Sequence, residues 1–599
     1  MKDRSSIDKR YKWDLSVIYA DMDAFEADMR LLEGKIKDIA KMEKTMLRSS
    51  ADLLATLRAE SEMGRVIERL WQYAFLGFSV DTSDNAAQAL TGRVRNLSVS
   101  AGSAAWFIDP YILRLDDKTV DAWFREEPGL SSYKRRIEKT RRSAAHTLSD
   151  ECEKLMSRLE DYRGTAGEVR GLFANADLKF GKIRNEEGVS VELTDTNYVP
   201  FLMSADRRVR QAAFRTLYKT YESFANTFAA LYNGHVKEET TLAGVRKFKN
   251  SLTASTFADE VTPEIYGNLI KTVNGGLEPL YEYYELKRRV LGVEKLHMYD
   301  VYAPLIDEMD KTYTYDEAVA EVLETVKIFG DEYYSTLKAG LTERGWVDVY
   351  PTKGKRGGAF SSGCSETEPY ILLNYTDTFD DVSTLAHEAG HSMHTYFSVK
   401  YNEPHNSQYR IFVAEVASTV NELLLAHRKL RSSESDTEKL YILNELMETY
   451  KGTLYRQTMF AEFERDMHAL VEGGQPLTAE VICSKYKRLV RRYFGKDVAC
   501  DRQIAYEWMR IPHFYSSFYV YKYSTCISAA SAIVKRIESE GEEYVKQYIE
   551  FLKCGDSRSP VDSLLVAGID MTDPGVIQSA IDDFAAAVKE FGEIYARKK

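Results

Sequence analysis

A mainly α-helical body is predicted for this 599-residue sequence, on three observations. It has only 13 prolines and 34 glycines, below the roughly 5% and 7% usual in globular chains, and these residues break helices and open turns. Apolar residues recur at three- and four-residue spacing over most of the length. No stretch has linker composition, and no repeat or low-complexity tract occurs. Length alone suggests about four domains. The missing linkers favour one large helical body in two lobes, big enough to surround a site.

Asp14–Ile112 reads as successive amphipathic helices, Met22–Ala40 and Leu53–Leu76 being the clearest. Helical patterning resumes over Ser132–Phe173. Phe180–Leu193 alternates about a Glu-Gly pair and predicts a small hairpin. Helices follow at Asp206–Ala243 and Pro263–Val290. Between Gly345 and Thr378, β-branched and aromatic residues separated by glycine turns predict two or three short strands. From Asp381 helical periodicity dominates to the end.

Lys and Arg number 80 against 92 Asp and Glu, a net charge of -12, so a broad basic surface for nucleic acid is not expected. The densest basic run, Lys134–Arg142, lies in helical sequence and reads as a solvated helix face. Six cysteines are scattered without a C-x-x-C pair, which suits a reducing compartment and argues against a thiolate metal site. No uncharged apolar run reaches the ~18 residues of a membrane span, and the first residues lack the apolar core of a secretory signal. The expectation is a soluble cytoplasmic protein with neither nucleic acid nor membrane as partner. Its oligomeric state stays open.

Residues 387–391 read His-Glu-Ala-Gly-His. On a helix, residues four apart share a face, so His387 and His391 can hold one metal, and neutral imidazole suits zinc. Glu388 is then placed to act as general base towards an activated water. A catalytic zinc needs a third protein ligand. The position six residues past His391 is Phe397, which excludes the metzincin pattern. Downstream, Glu415 interrupts an apolar helix, Phe412–Leu430, flanked by Val413, Ala414, Val416 and Ala417. An unpaired carboxylate buried there would be costly, and a metal would satisfy it. Glu422, two turns on, is either a hydrogen-bond partner of a ligand or an ordinary salt bridge. His394 and His405 lie close enough in sequence to be weighed as neighbours of the site, His394 also reading as a helix-surface residue.

The pattern His387–His391 followed by Glu415-Val-Ala-Ser418-Thr-Val-Asn-Glu422 resembles the thimet-oligopeptidase-like zinc metallopeptidases, most of all their bacterial oligoendopeptidase F branch. Tyr11–Leu15 (YKWDL), Asp348–Phe360 and Ile511–Tyr523 extend the resemblance over essentially the whole chain. It implies Glu415 as third zinc ligand, Glu422 and Ser418 as outer partners, one zinc per chain, and helical lobes enclosing a deep cleft with a small β-sheet beside the zinc helix. It further implies that a histidine and tyrosines in Ile511–Tyr523 stabilise the oxyanion, assigned to His513 and Tyr521, with Tyr515 and Tyr519 contacting substrate. Taken alone, that aromatic run would more often be core. The implied organisation is a helical N-terminal region (1–112), a subdomain with the hairpin (113–200) and a catalytic domain (201–599).

The glycine-rich strands before the zinc helix offer an edge to which an extended peptide can add, with Gly357 and Gly358 (and Gly363) allowing close backbone approach. The expected activity is hydrolysis of internal bonds in short unstructured peptides. The alternatives are a carboxypeptidase or dipeptidase on the same scaffold, and a non-catalytic protein with a structural zinc. The last would have no use for Glu388.

Overall fold

The computed structural model describes residues 3–306 and 311–598. Its elements are mostly α-helices, and the strands among the described residues are two or three residues long. The chain sorts into two compact units, each assembled from three stretches. The first comprises Met1–Ala145, Asp310–Arg428 and Ile533–Ile569; the second comprises His146–Met309, Lys429–Ala532 and Asp570–Lys599. The sequence blocks 1–112, 113–200 and 201–599 do not coincide with these units: 113–200 is divided at residue 145, and 201–599 contributes to both. The apolar faces that match one another lie far apart in sequence, and no composition change marks where the chain passes from one unit to the other.

Three long helices found the first unit: Met22–Met42, Ser50–Val80 and Asn85–Ala104. Each begins where a side-chain oxygen accepts an otherwise orphaned N–H. Asp21 accepts from Ala24 at 2.9 Å, Ser49 from Asp52 at 3.2 Å and Asp84 from Ala86 at 2.8 Å. Phe25, Met29, Leu32 and Ile39 share one helix face and are buried in one cluster with Leu53, Leu57, Leu70 and Val94. The basic helix Lys134–Arg142 belongs to the same unit, and its charges are taken up by acids. Arg136 pairs with Asp109 at 2.6 Å and Glu60 at 3.2 Å, and Arg135 and Lys139 both face Asp556.

The strands predicted between residues 345 and 378 number three: β1 (Val347–Asp348), β2 (Phe360–Ser362) and β3 (Tyr370–Leu372). β3 is central, parallel to β1 and antiparallel to β2, with Ser361 opposite Ile371. All three of its residues are buried, as in a strand covered on both faces. β1 carries a buried carboxylate, Asp348, which pairs with the fully buried Lys355 at 2.8 Å and with Arg4. The Trp13 indole N–H donates to the carbonyls of Trp346 and Ile371 at 2.8 and 2.9 Å. Two of the segments that carry the family resemblance thus meet as a clasp on this sheet. Asp348→Ala would leave the Lys355 ammonium uncompensated in a dry site. A loss of about 3–5 kcal/mol is expected, read as a lowered urea midpoint.

Two helices follow the sheet, α1 (Phe379–Tyr401) and α2 (Ile411–Ser432). α1 starts two residues before Asp381 because Thr378 caps it: the Asp381 N–H donates to Thr378 Oγ1 at 3.2 Å, and the Asp381 carboxylate accepts from the Thr378 N–H at 3.0 Å.

The second unit contains the predicted hairpin, Lys182–Arg184 paired antiparallel with Ser190–Glu192 across Gly188 at φ 79°. Among its helices are Ala225–Val245, Pro263–Gly275, Glu278–Val290, Asp436–Tyr450, Arg456–Glu472 and Pro574–Lys598. The helical patterning expected over 132–173 is realised as Lys134–Arg142, Asp150–Leu159 and Thr165–Leu172, the last preceded by Gly164 at φ 77°. No helix among the described residues is long and apolar enough to cross a membrane. The six cysteines are free thiols.

Candidate metal centre

α1 and α2 build the site in the first unit. His387 and His391 stand one turn apart on α1 with their Nε2 atoms 3.1 Å apart, and Glu415 Oε2 of α2 lies 3.3 Å from each. Donors bound tetrahedrally to zinc at about 2.0–2.1 Å are separated by about 3.3–3.4 Å, so this nearly equilateral triangle has the dimensions the ion requires. Among the described residues these three form the one group of His, Cys, Asp and Glu that could hold a metal.

Glu415 reaches the site from an accessible face. Its side chain is 31% exposed, while Val413, Val416 and Ala417 turn into the core. The expectation of a buried carboxylate demanding a metal is corrected to that extent: the apolar flanks belong to the opposite side of α2. Burial raises the Glu415 pKa, but hydrogen bonds from the two imidazoles outweigh it and hold the carboxyl well below the ordinary range.

Glu422 accepts from His387 Nδ1–H at 2.8 Å. In the neutral imidazole that could bind a metal, this bond fixes the tautomer whose Nε2 lone pair faces the triangle. Burial would lower the His387 pKa, but Glu422 and Glu415 reverse it and raise it well above the ordinary value. Ser418 Oγ donates to the Glu415 carbonyl at 3.0 Å and to its carboxylate at 3.2 Å. Glu422→Gln keeps the size but not the charge of the His387 partner. A 10- to 100-fold weaker zinc affinity is expected, in line with roughly that loss for partners of ligands elsewhere, and chelator competition measures it.

Glu388 is buried, and its Oε2 has no hydrogen-bond partner among the described residues. Burial pushes its carboxyl pKa up, with His387 and His391 pulling the other way. A buried acceptor without a donor costs about 1–3 kcal/mol.

Gly390 lies where α1 and α2 touch: a Cβ there would come within 2.5 Å of the Ala417 carbonyl oxygen and 2.6 Å of Ser418 Cα. His394 is a core residue, stacked on Tyr409 at 3.8 Å, and burial pushes its pKa down to about 3. His405 stacks on Tyr133 at 4.2 Å and bonds the Ser132 carbonyl at 2.8 Å. β2 is tied to α1 through Ser361 and Ser392, whose hydroxyls are 2.9 Å apart. Gly358, at φ 80°, presents its carbonyl to the Asn374 amide at 2.8 Å, and Gly357 precedes it in the same turn.

His513, Tyr515, Tyr519 and Tyr521 lie in the second unit. Pro512–Tyr515 forms a 3₁₀ turn and a helix begins at Tyr521. His513 stacks on Tyr519 with centroids 6.1 Å apart, and Tyr523 meets both rings edge-on. These three are partly exposed. Tyr515 packs on Tyr232 and His235. Tyr521 is fully buried against Tyr266, with centroids 4.9 Å apart, and desolvation raises its pKa well above the ordinary value. Reading the sequence assigned no role to Tyr523. Tyr519 precedes the helix that begins at Tyr521, so the Tyr519–Tyr523 ring contact, with centroids 5.5 Å apart, follows from no helical spacing in the sequence.

A model of peptidase family M3 matches residues 201–583, and an oligopeptidase F model matches residues 112–180. Oligopeptidase PepF of Bacillus subtilis is 37% identical over 599 residues, covering 100% of this chain and 89% of its own. The group B oligopeptidase PepB of Streptococcus agalactiae is 36% identical over 99% of this chain and 98% of its own. The crystal structure of oligoendopeptidase-F from Enterococcus faecium superposes with a TM-score of 0.76 at 34% identity, over 96% of this chain and 98% of that one. The likeness runs over both units and takes in the His387–Glu415 triangle, and the chain belongs to peptidase family M3 as an oligoendopeptidase F-type metalloendopeptidase.

Proposed function

We propose that this peptidase uses one zinc ion, held by His387, His391 and Glu415, to cut internal bonds of short unstructured peptides, with Glu388 as general base. The observation that carries this reading is the triangle of three donors beside a buried carboxylate oxygen that has no hydrogen-bond partner among the described residues. Three protein ligands leave a position for water or substrate, whereas structural zinc sites are closed by four. When bound, zinc would polarise the scissile carbonyl and lower the pKa of a water towards about 7.

Glu388 takes the proton of the attacking water and delivers it to the leaving amine. Glu422 holds His387 in its ligating tautomer, and Ser418 steadies Glu415. β2 offers main-chain groups to an extended substrate, with Gly357 and Gly358 keeping its approach free of side chains. His513 supplies a donor to the developing oxyanion. Tyr519 and Tyr523 share its accessible face and are more available for the same task than Tyr521, and Tyr515 packs beneath. Free thiols suit the reducing cytoplasm, where the proposal places the enzyme.

The test is hydrolysis of a short internally quenched peptide, with the products mapped by mass spectrometry. Internal cleavage is expected, lost with phenanthroline and restored by stoichiometric zinc. Release of only single residues or dipeptides from an end would move the assignment to an exopeptidase. Equal rates on folded proteins would contradict the restriction to short peptides.

A further inference from the structure

Asn421 precedes Glu422 on α2 and is completely buried. Its Nδ2 donates to the backbone carbonyl of Ala386 at 3.1 Å. Ala386 immediately precedes His387, and its carbonyl belongs to the α1 turn that carries both His387 and Gly390. The hydroxyl of Tyr333, from the helix Asp331–Thr342, lies 3.2 Å from Asn421 Oδ1, to which it donates, and 3.1 Å from Nδ2. The Tyr333 ring is buried and packs against Phe397 of α1, with centroids 6.1 Å apart.

Three contacts therefore locate α1 on α2, and they do different things. Gly390 against Ala417 and Ser418 sets how close the helices come. The Glu422 bond turns the His387 ring. The first resists sliding little, because a crossing of small residues is smooth, and the second joins two side chains that can turn together as the helices slide. A hydrogen bond from a side chain of one helix to a particular backbone carbonyl of the other does resist it. A slide of one ångström is a third of the 3.1–3.3 Å that separate the donor atoms.

We propose that Asn421 is a positioning residue for the metal centre. Its amide holds the axial register of α1 on α2, and hence Glu415 against His387 and His391, with Tyr333 orienting that amide. The inference rests on the zinc reading above.

Asn421→Leu removes the tie at similar volume, and Asn421→Ser removes it with less risk of overpacking. Tyr333→Phe deletes the hydroxyl but leaves the Asn421–Ala386 bond. Zinc affinity by chelator competition, the d–d spectrum of the cobalt-substituted protein, and melting of metal-free protein are measured for each. For both Asn421 variants the expected result is zinc binding weakened at least tenfold, of the order seen when partners of ligands are removed, with an altered cobalt spectrum. Tyr333→Phe is expected to lower the melting temperature with a smaller change in zinc affinity. A role in packing alone would lower melting and leave zinc affinity and spectrum unchanged; either folded Asn421 variant binding zinc within threefold of the parent overturns the inference. Failure of the parent to bind zinc at all would instead remove the zinc reading.

Discussion

Replacing Glu388 with Gln is expected to lower kcat/KM on a short quenched peptide by about 10²- to 10⁴-fold, the usual contribution of a positioned general base, while zinc content stays at one per chain. The substitution keeps shape and leaves His387, His391 and Glu415 untouched, but an amide cannot take the proton of the attacking water. In free energy this is about 3–5 kcal/mol of transition-state stabilisation. Stability should move the other way. The folded-state pKa of Glu388 lies above its unfolded value because of burial, so the folded metal-free protein binds its proton more tightly. It therefore loses stability as pH rises through the window between the two values. Gln removes that dependence, together with the titrating carboxyl itself. The metal-free variant should melt no lower than the parent at neutral pH. Unchanged turnover with metal retained would exclude Glu388 as the base.

Gly390→Ala is expected to cost most of the zinc affinity through a single methyl group. The added carbon meets backbone atoms of Ala417 and Ser418 at 2.5 and 2.6 Å, and backbone cannot rotate away as a flexible side chain can. The helices must part, at an overpacking cost of about 1–3 kcal/mol. Because Glu415 rides on α2 and both histidines on α1, the separation opens the donor triangle. Zinc affinity should fall by about a hundredfold, the upper end for changes around a ligand shell, and turnover at limiting zinc should vanish and partly return at high zinc. Calorimetric titration of the metal-free variant reads this directly. Parental affinity would show that α2 shifts without moving Glu415.

Local chemistry was the legible part of the sequence. His387, Glu388 and His391 are fixed by helix periodicity alone, and Glu415 and Glu422 by one helix further on with the family pattern. The three strands and the hairpin are likewise short-range features. What depended on distant partners could not be read. Asp348 finds its counter-charges in Lys355 and in Arg4, more than three hundred residues away in sequence. Whether Tyr519, Tyr521 or Tyr523 faces outward depends on a helix starting at Tyr521, just after Phe518 adopts φ 57°, an orientation no propensity predicts. The same holds for the passage from the first unit to the second near residue 145, where no glycine- or proline-rich stretch marks the boundary.

The interleaving of the two units bears on how the protein is made. The first unit needs residues up to Ile569, and the second includes Pro574–Lys598, whose Phe584 is buried against Tyr283, Tyr450 and Tyr455. Domains ordinarily fold one after another as they leave the ribosome, but neither half of this chain is finished until nearly all of it has been synthesised. The proposed metal ligands, in contrast, all fall within residues 387–415, a short loop to close. The proposed ligands are thus close in sequence, whereas the packing of each unit is complete only when nearly the whole chain is present.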